Sequence, residues 1–300
     1  MQSQIADLAA PWTRALKAAN RAPTTVTIYG AALRLLTGYL EREGLPTAVG
    51  DIRRIHIEGF VGDLLERQKP ASVSAHFRSL RVFFKWAVEN EIDDIVRSPM
   101  ERMRPPSVPE TPPRIPTDQE VKALLRACRG KTFRDRRDAA IVSLLADTGM
   151  RLAECAGITL SDLDLDAGTA RVMGKGRRVR VCRYGNRTGT ALDHYLRARA
   201  SHRLAQEEAL WLGHMGTMTP NGVHHIVKDR AKAAGMPWLH PHLLRSYFAH
   251  TWLSRGGSQV ELMTACGWRQ ASMVARYTAS TAAERAHKTH ERIGVLDRLG

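Results

Sequence analysis

SPMERMRPPSVPETPPRIPTDQE, residues 98–120, carries seven of the chain's 14 prolines between Pro99 and Pro116. Proline has no amide donor and its ring opposes helix, so the stretch reads as an extended linker. We assign residues 1–104 to a first domain, 105–116 to the linker and 117–300 to a second domain with a C-terminal tail. Upstream of the linker the apolar periodicity predicts helices near 24–43, 56–69 and 72–90, with no alternating strand pattern between them. Downstream, Thr117 followed three residues later by Glu120 is a capping box that opens a helix. A second helix, RDRRDAAIVSLLADTG, ends at Gly149. The period then switches: GTARVMGKGRRVRVCRY, residues 168–184, reads as strand, Gly-Lys-Gly turn, strand. Helices resume near 189–200, 220–234, 242–254 and 258–265. The expected fold is mainly α with one small antiparallel sheet.

Forty-five Lys and Arg against 30 Asp and Glu give a formal charge of +15 on 300 residues. Such an excess favours a polyanionic partner, nucleic acid or an anionic membrane. Residues 1–107 hold 15 basic and 12 acidic groups and residues 108–300 hold 30 and 18, so most of the excess lies in the second domain. No apolar run is long enough to span a membrane. The N-terminus lacks the pattern of a signal peptide, and the expected location is the cytoplasm. Cys128, Cys155, Cys182 and Cys266 are isolated and read as buried, reduced thiols, not as disulfides or a zinc site.

In the helix SVSAHFRSLRVFFKWAVEN, Val73, Phe77, Leu80, Phe84 and Ala87 share one face. Arg78, Arg81 and Lys85 share another, either a solvated stripe or a surface that tracks phosphates. Four sites in the second domain look unlike packing. Arg151 follows a Gly-containing helix end in TGMRLAE, where a fixed backbone can aim it. Lys175 sits at a hairpin tip between two glycines, with Arg177 and Arg178 beside it; from Arg171 to Arg183 there are six basic residues and no acid. His242 and Arg245 lie three apart in HPHLLRSYFAH and project from one helix face. Trp268 stands nine residues before Tyr277 in CGWRQASMVARYTAS, where the surrounding small residues offer the phenol little apolar surface. Each alone has an ordinary structural or solvent explanation.

Taken in order, however, TGMRLAE, GKGRR, HPHLLRSYFAHTWLSRGG and LMTACGWRQASMVARYT resemble the tyrosine recombinase, or phage integrase, family. The resemblance runs over nearly all of residues 114–280. It implies a two-domain DNA clamp, with a helical core-binding domain and a catalytic domain. It further implies that Tyr277 is the nucleophile and that Arg151, Lys175, His242, Arg245 and Trp268 serve the phosphate, with Glu154 in support. Cofactor and metal are expected to be absent, since two guanidiniums meet the charge of a phosphodiester. The implied partners are double-stranded DNA with inverted core-type sites, a tetramer of the chain on that DNA and an accessory DNA-bending or directionality factor; a membrane is not expected. Departures from the family pattern are Trp268 where His is usual, Cys266 where Leu is usual and Ser246 where His is frequent.

The reading that follows is a recombinase integrating or excising a phage or other mobile element. A chromosome-dimer resolving recombinase and a type IB topoisomerase-like relaxing enzyme are the alternatives. The tail closes with Ile293, Val295, Leu296 and Leu299, which need a dry partner in their own domain or, as the resemblance implies, in a neighbouring subunit.

Overall fold

The computed structural model describes residues 3–109, 114–174, 178–278 and 290–291, with the backbone alone at 276–278. The chain divides into two units, Met1–Thr111 and Pro112–Gly300, so the break falls within the proline-rich stretch.

The first unit holds α1 (Ala9–Ala18), α2 (Pro23–Arg42), α3 (Arg54–Arg67) and α4 (Pro70–Glu89). Proline occupies the first turn of both long helices, α2 and α4, where its missing N–H is one of the unpaired ones in any case. Helix α1 was not expected. It is ten residues long and has no side-chain cap, so its own propensity would not sustain it in isolation. It forms because Trp12 is buried, edge-on to Phe83 at 5.1 Å and stacked on Tyr29 at 5.6 Å. The predicted face of α4 is buried as expected, with Phe83 added to it, and packs with Leu33, Leu36, Ile57 and Phe60 in one core.

The second unit begins with α5 (Asp118–Ala127). Its capping box is formed, with the Glu120 amide donating to Thr117 Oγ1 at 3.2 Å and the Thr117 amide to Glu120 Oε2 at 2.8 Å. Helix α6 (Phe133–Thr148) is the axis of the unit: it is buried on most sides and packs against α5 and against the later helices α8 (Asn186–Ala200), α9 (Pro220–Ala233) and α10 (Pro241–Ser254). Between α6 and α8 come the short α7 (Leu152–Ala156) and a three-stranded antiparallel sheet in the order β1 (Leu163–Asp164), β2 (Thr169–Gly174), β3 (Arg178–Arg183). The hairpin read from sequence is thus joined by a two-residue edge strand too short to show a period. After α10 come α11 (Gln259–Cys266) and α12 (Ser272–Thr278).

The main core gathers Ile141, Leu144, Leu192, Tyr195, Trp211 and Leu244. A satellite cluster of Leu253, Leu262, Cys266, Trp268 and Val274 holds α10, α11 and α12 together. All four cysteines are buried and free. The tail residues Ile293, Val295, Leu296 and Leu299 lie outside the described residues.

Candidate active site

Gly149 ends α6 in the left-handed conformation, φ 59°. A Cβ there would lie 2.4 Å from Phe248 Cδ1, so both the conformation and the close approach of α10 call for glycine. The turn delivers Arg151 as N-cap of α7. The Arg151 amide donates to Glu154 Oε2 at 2.6 Å, its Nη1 to Glu154 Oε1 at 2.8 Å, and its Nη2 to the Gly267 carbonyl at 3.3 Å.

Glu154 is 6% exposed. Arg180, facing inward from β3, grips both of its oxygens at 2.7 Å and donates through Nε to the Ala265 carbonyl at 3.2 Å. Burial alone would push the Glu154 carboxyl up. The hydrogen bonds from Arg180 and from the Arg151 amide and side chain overcome that and hold the pKa at about 2.

Arg245, on α10, is 4% exposed. Its Nη1 donates to the Gly149 carbonyl at 2.5 Å and its Nη2 to the Cys266 carbonyl at 2.8 Å, and its guanidinium carbon lies 5.0 Å from the centroid of the Trp268 ring. Among the described residues it makes no ion pair, because Glu154 is taken up by Arg151 and Arg180. Burial accordingly lowers the Arg245 pKa. A buried cation without a carboxylate is unfavourable until an anion joins it.

Arg151, His242, Arg245 and Trp268 line one cavity of about 350 Å³, together with His224 from α9 and His240 from the start of α10. The structure therefore brings together four of the residues singled out from sequence and adds two imidazoles. His240 and His242 stack with ring centroids 6.5 Å apart. Burial, then the neighbouring His242, His224 and Lys228, lower the His240 pKa. His240 had a signal in HPH, two residues before His242; His224 had none, since only the packing of α9 brings it there. Arg180 was concealed among the basic residues of the hairpin, although the period of two places it on the inward face with Cys182. A second, larger cavity of about 460 Å³ is lined by Asp162, Asp164 and Asp166 with Arg171 paired to Asp162, and its net negative wall disfavours a phosphate.

Tyr277 lies on α12 by its backbone; its side chain, like Lys175 and Arg177 as a whole, lies outside the described residues. Arg178 is exposed at the start of β3, opposite Gly174. In the first unit Arg78, Arg81 and Lys85 are exposed on α4. Two of these already have protein contacts: Arg81 donates to the Met103 carbonyl and lies 5.0 Å from the Phe77 ring centroid, and Lys85 meets Glu89 at 3.5 Å. Among the described residues no cluster of His, Cys, Asp and Glu has the arrangement of a metal site.

The phage integrase family model matches residues 115–284. Tyrosine recombinase XerC of Myxococcus xanthus is 32% identical over 233 residues, which cover 75% of this chain and 77% of the relative. The Tn1549 transposon integrase, solved in complex with transposon right end DNA, superposes with a TM-score of 0.74 at 18% identity, covering 97% of this chain and 100% of that one. The XerH site-specific recombinase bound to a palindromic difH substrate gives 0.73 at 16% identity over 91% and 81% of the two chains. At these identities the two structures share the fold.

Proposed function

From the premise that this chain belongs to the phage integrase family and is a tyrosine recombinase, an enzyme that cuts and rejoins DNA strands at specific sites, we propose the following roles for its residues. Tyr277 Oη attacks the scissile phosphorus. The bond to the 5′-oxygen breaks, leaving a 3′-phosphotyrosyl linkage and a 5′-hydroxyl, and Lys175 supplies the proton that the departing oxygen needs. The attached phosphate keeps the bond energy for rejoining, so no external energy source enters. Arg151 and Arg245 clamp the nonbridging oxygens with planar, permanently charged forks. His242 and Trp268 add donors around the same phosphate, and Glu154 holds Arg151 in place.

The observation that carries this reading is Arg245, a buried cation with no ion pair among the described residues, opening on a cavity shared with Arg151, His242 and Trp268. A phosphodiester supplies the missing negative charge. The partner is double-stranded DNA with inverted core-type sites, gripped by the basic catalytic unit and by Arg78, Arg81, Lys85, Arg177 and Arg178. Four copies assemble on it, aided by an accessory DNA-bending or directionality factor. No described helix is long and apolar enough to cross a membrane; a substrate of DNA supports our reading of a cytoplasmic protein.

The biological setting we favour is integration or excision of a mobile element. The XerC relative, matched over 77% of its length, favours a second reading, resolution of chromosome dimers. A repeated attachment core in the DNA flanking the gene separates the two.

The decisive test is Tyr277→Phe, which removes only the attacking oxygen. Site binding should persist, and the covalent adduct on a denaturing gel and recombination should both vanish. A surviving adduct would move the nucleophile elsewhere.

A further inference from the structure

Arg180 is absent from the roles above and does not line the cavity, yet it bonds to two elements that shape it. It leaves β3 two residues after the strand begins at Arg178. Its two terminal nitrogens take both oxygens of Glu154 at 2.7 Å, and its Nε takes the Ala265 carbonyl at 3.2 Å. Glu154 in turn receives the Arg151 amide and side chain. Ala265 precedes Cys266, whose carbonyl receives Arg245, and Gly267, whose carbonyl receives Arg151. One guanidinium thus links β3, the start of α7 and the end of α11, and through them both arginines facing the cavity.

The packing leaves little room for this link to slip. A Cβ on Gly174, the last residue of β2, would come within 3.3 Å of Glu154 Oε1. A Cβ on Gly267 would come within 3.3 Å of Arg180 Nη1. Glycine at each place lets the strand end and the turn close over the Glu154–Arg180 pair. The pair is dry, with side chains 3% and 15% exposed, whereas Arg151 remains 38% exposed toward the cavity. A buried bidentate pair of this kind is a poor source of net stability and a good source of fixed geometry.

We propose that Arg180 is a positioning residue for strand cleavage: by gripping Glu154 and the Ala265–Gly267 turn it holds Arg151 at the distance and angle needed to neutralise the scissile phosphate. The proposal rests on the reading of Arg151 as a phosphate clamp. It implies that Arg180 never touches DNA, and that a lysine, which offers a point charge in place of the fork, cannot take over its role.

The test compares Arg180→Lys and Arg180→Met with the parent and with Arg151→Ala, in single-turnover cleavage of a duplex bearing one site. Two substrates are used, an ordinary scissile phosphodiester and a methylphosphonate in which a methyl group replaces one nonbridging oxygen and removes the charge. Arg180→Lys keeps the cation beside Glu154, so it remains informative if Arg180→Met does not fold. Both variants should bind DNA as the parent does and cleave the phosphodiester on the order of 10²-fold more slowly, as misplacement of a clamp without its loss predicts. On the methylphosphonate the deficit relative to the parent should shrink to within a few-fold, because the charge that Arg151 was positioned to meet is gone.

Equal slowing on both substrates would mean that Arg180 only holds the fold together, and no slowing at all would mean that it does not matter; either overturns the proposal. Arg151→Ala separates this from the underlying reading. If Arg151→Ala cleaves the phosphodiester at the parent rate, the clamp assignment fails first. If Arg151→Ala is slowed and then rescued by the methylphosphonate while the Arg180 variants are not, the clamp stands and the positioning role falls.

Discussion

Gly149→Ala tests how the turn between α6 and α7 builds the cavity. Gly149 has φ 59°, and an alanine there carries the left-handed penalty of roughly 1–2 kcal/mol. Its Cβ would also stand 2.4, 2.8 and 3.2 Å from Phe248 Cδ1, Cγ and Cβ. The last two atoms are not the far end of a flexible chain, so α10 must shift, and overpacking of this kind adds about 1–3 kcal/mol. The total is about 2–5 kcal/mol. For a unit the size of Pro112–Gly300, each kcal/mol moves Tm by about 2–4 °C, which gives a fall on the order of 4–20 °C in the transition of that unit.

Because the Gly149 carbonyl receives Arg245 Nη1, the same shift should slow single-turnover cleavage by on the order of 10²-fold while site binding persists. Thermal unfolding followed by circular dichroism and cleavage at a temperature well below the new Tm give the two readouts. Combining the change with Phe248→Ala should cost less than the sum of the two single changes, since the clashes with Cδ1 and Cγ disappear while the contact with Cβ and the backbone contribution stay. A Tm within about 2 °C of the parent, or normal cleavage despite a lowered Tm, would refute the argument that close approach at Gly149 sets the position of Arg245.

Arg245→Lys keeps the charge and loses the fork, so DNA binding should survive and cleavage fall steeply; cleavage within a few-fold of the parent would remove Arg245 from the phosphate. Lys175→Ala should slow cleavage of an ordinary phosphodiester by about 10²- to 10⁴-fold, and a 5′-bridging sulfur, which leaves without a proton, should restore most of the rate. Glu154 has a folded-state pKa of about 2 against an ordinary 4.5, so its contribution to stability is present above 4.5 and is lost as pH falls toward about 2. Glu154→Gln should therefore flatten the acid limb of the Tm-versus-pH curve in that window; an unchanged slope would show that the carboxylate is not held by Arg151 and Arg180 in solution.

That Arg151, His242, Arg245 and Trp268 belong to one candidate site was legible because their motifs depend on local structure. A helix stop at Gly149 fixes Arg151, and a one-turn spacing fixes His242 with Arg245. The nine residues from Trp268 to Tyr277 span the turn into α12. The helical first unit was legible for a similar reason, since α2 and α4 are long enough for their periodicity to stand out. Helix α1 was not, because only burial of Trp12 sustains it.

What the sequence could not decide is the task of the arginines outside those motifs. Arg199 is 3% exposed and is used up on the carbonyls of the loop around residues 205–210. Arg137 is 8% exposed and rests on Asp138. Arg180 is bound to Glu154, and Arg245 alone of these four makes no ion pair and no full set of carbonyl contacts among the described residues. Spacing marks Arg245, three residues after His242, but nothing in the spacing around Arg137, Arg180 and Arg199 tells those three apart. Their roles follow from which carbonyls and carboxylates the packing of α6, α10 and the hairpin brings within 3 Å or so, a long-range property that only the folded chain possesses.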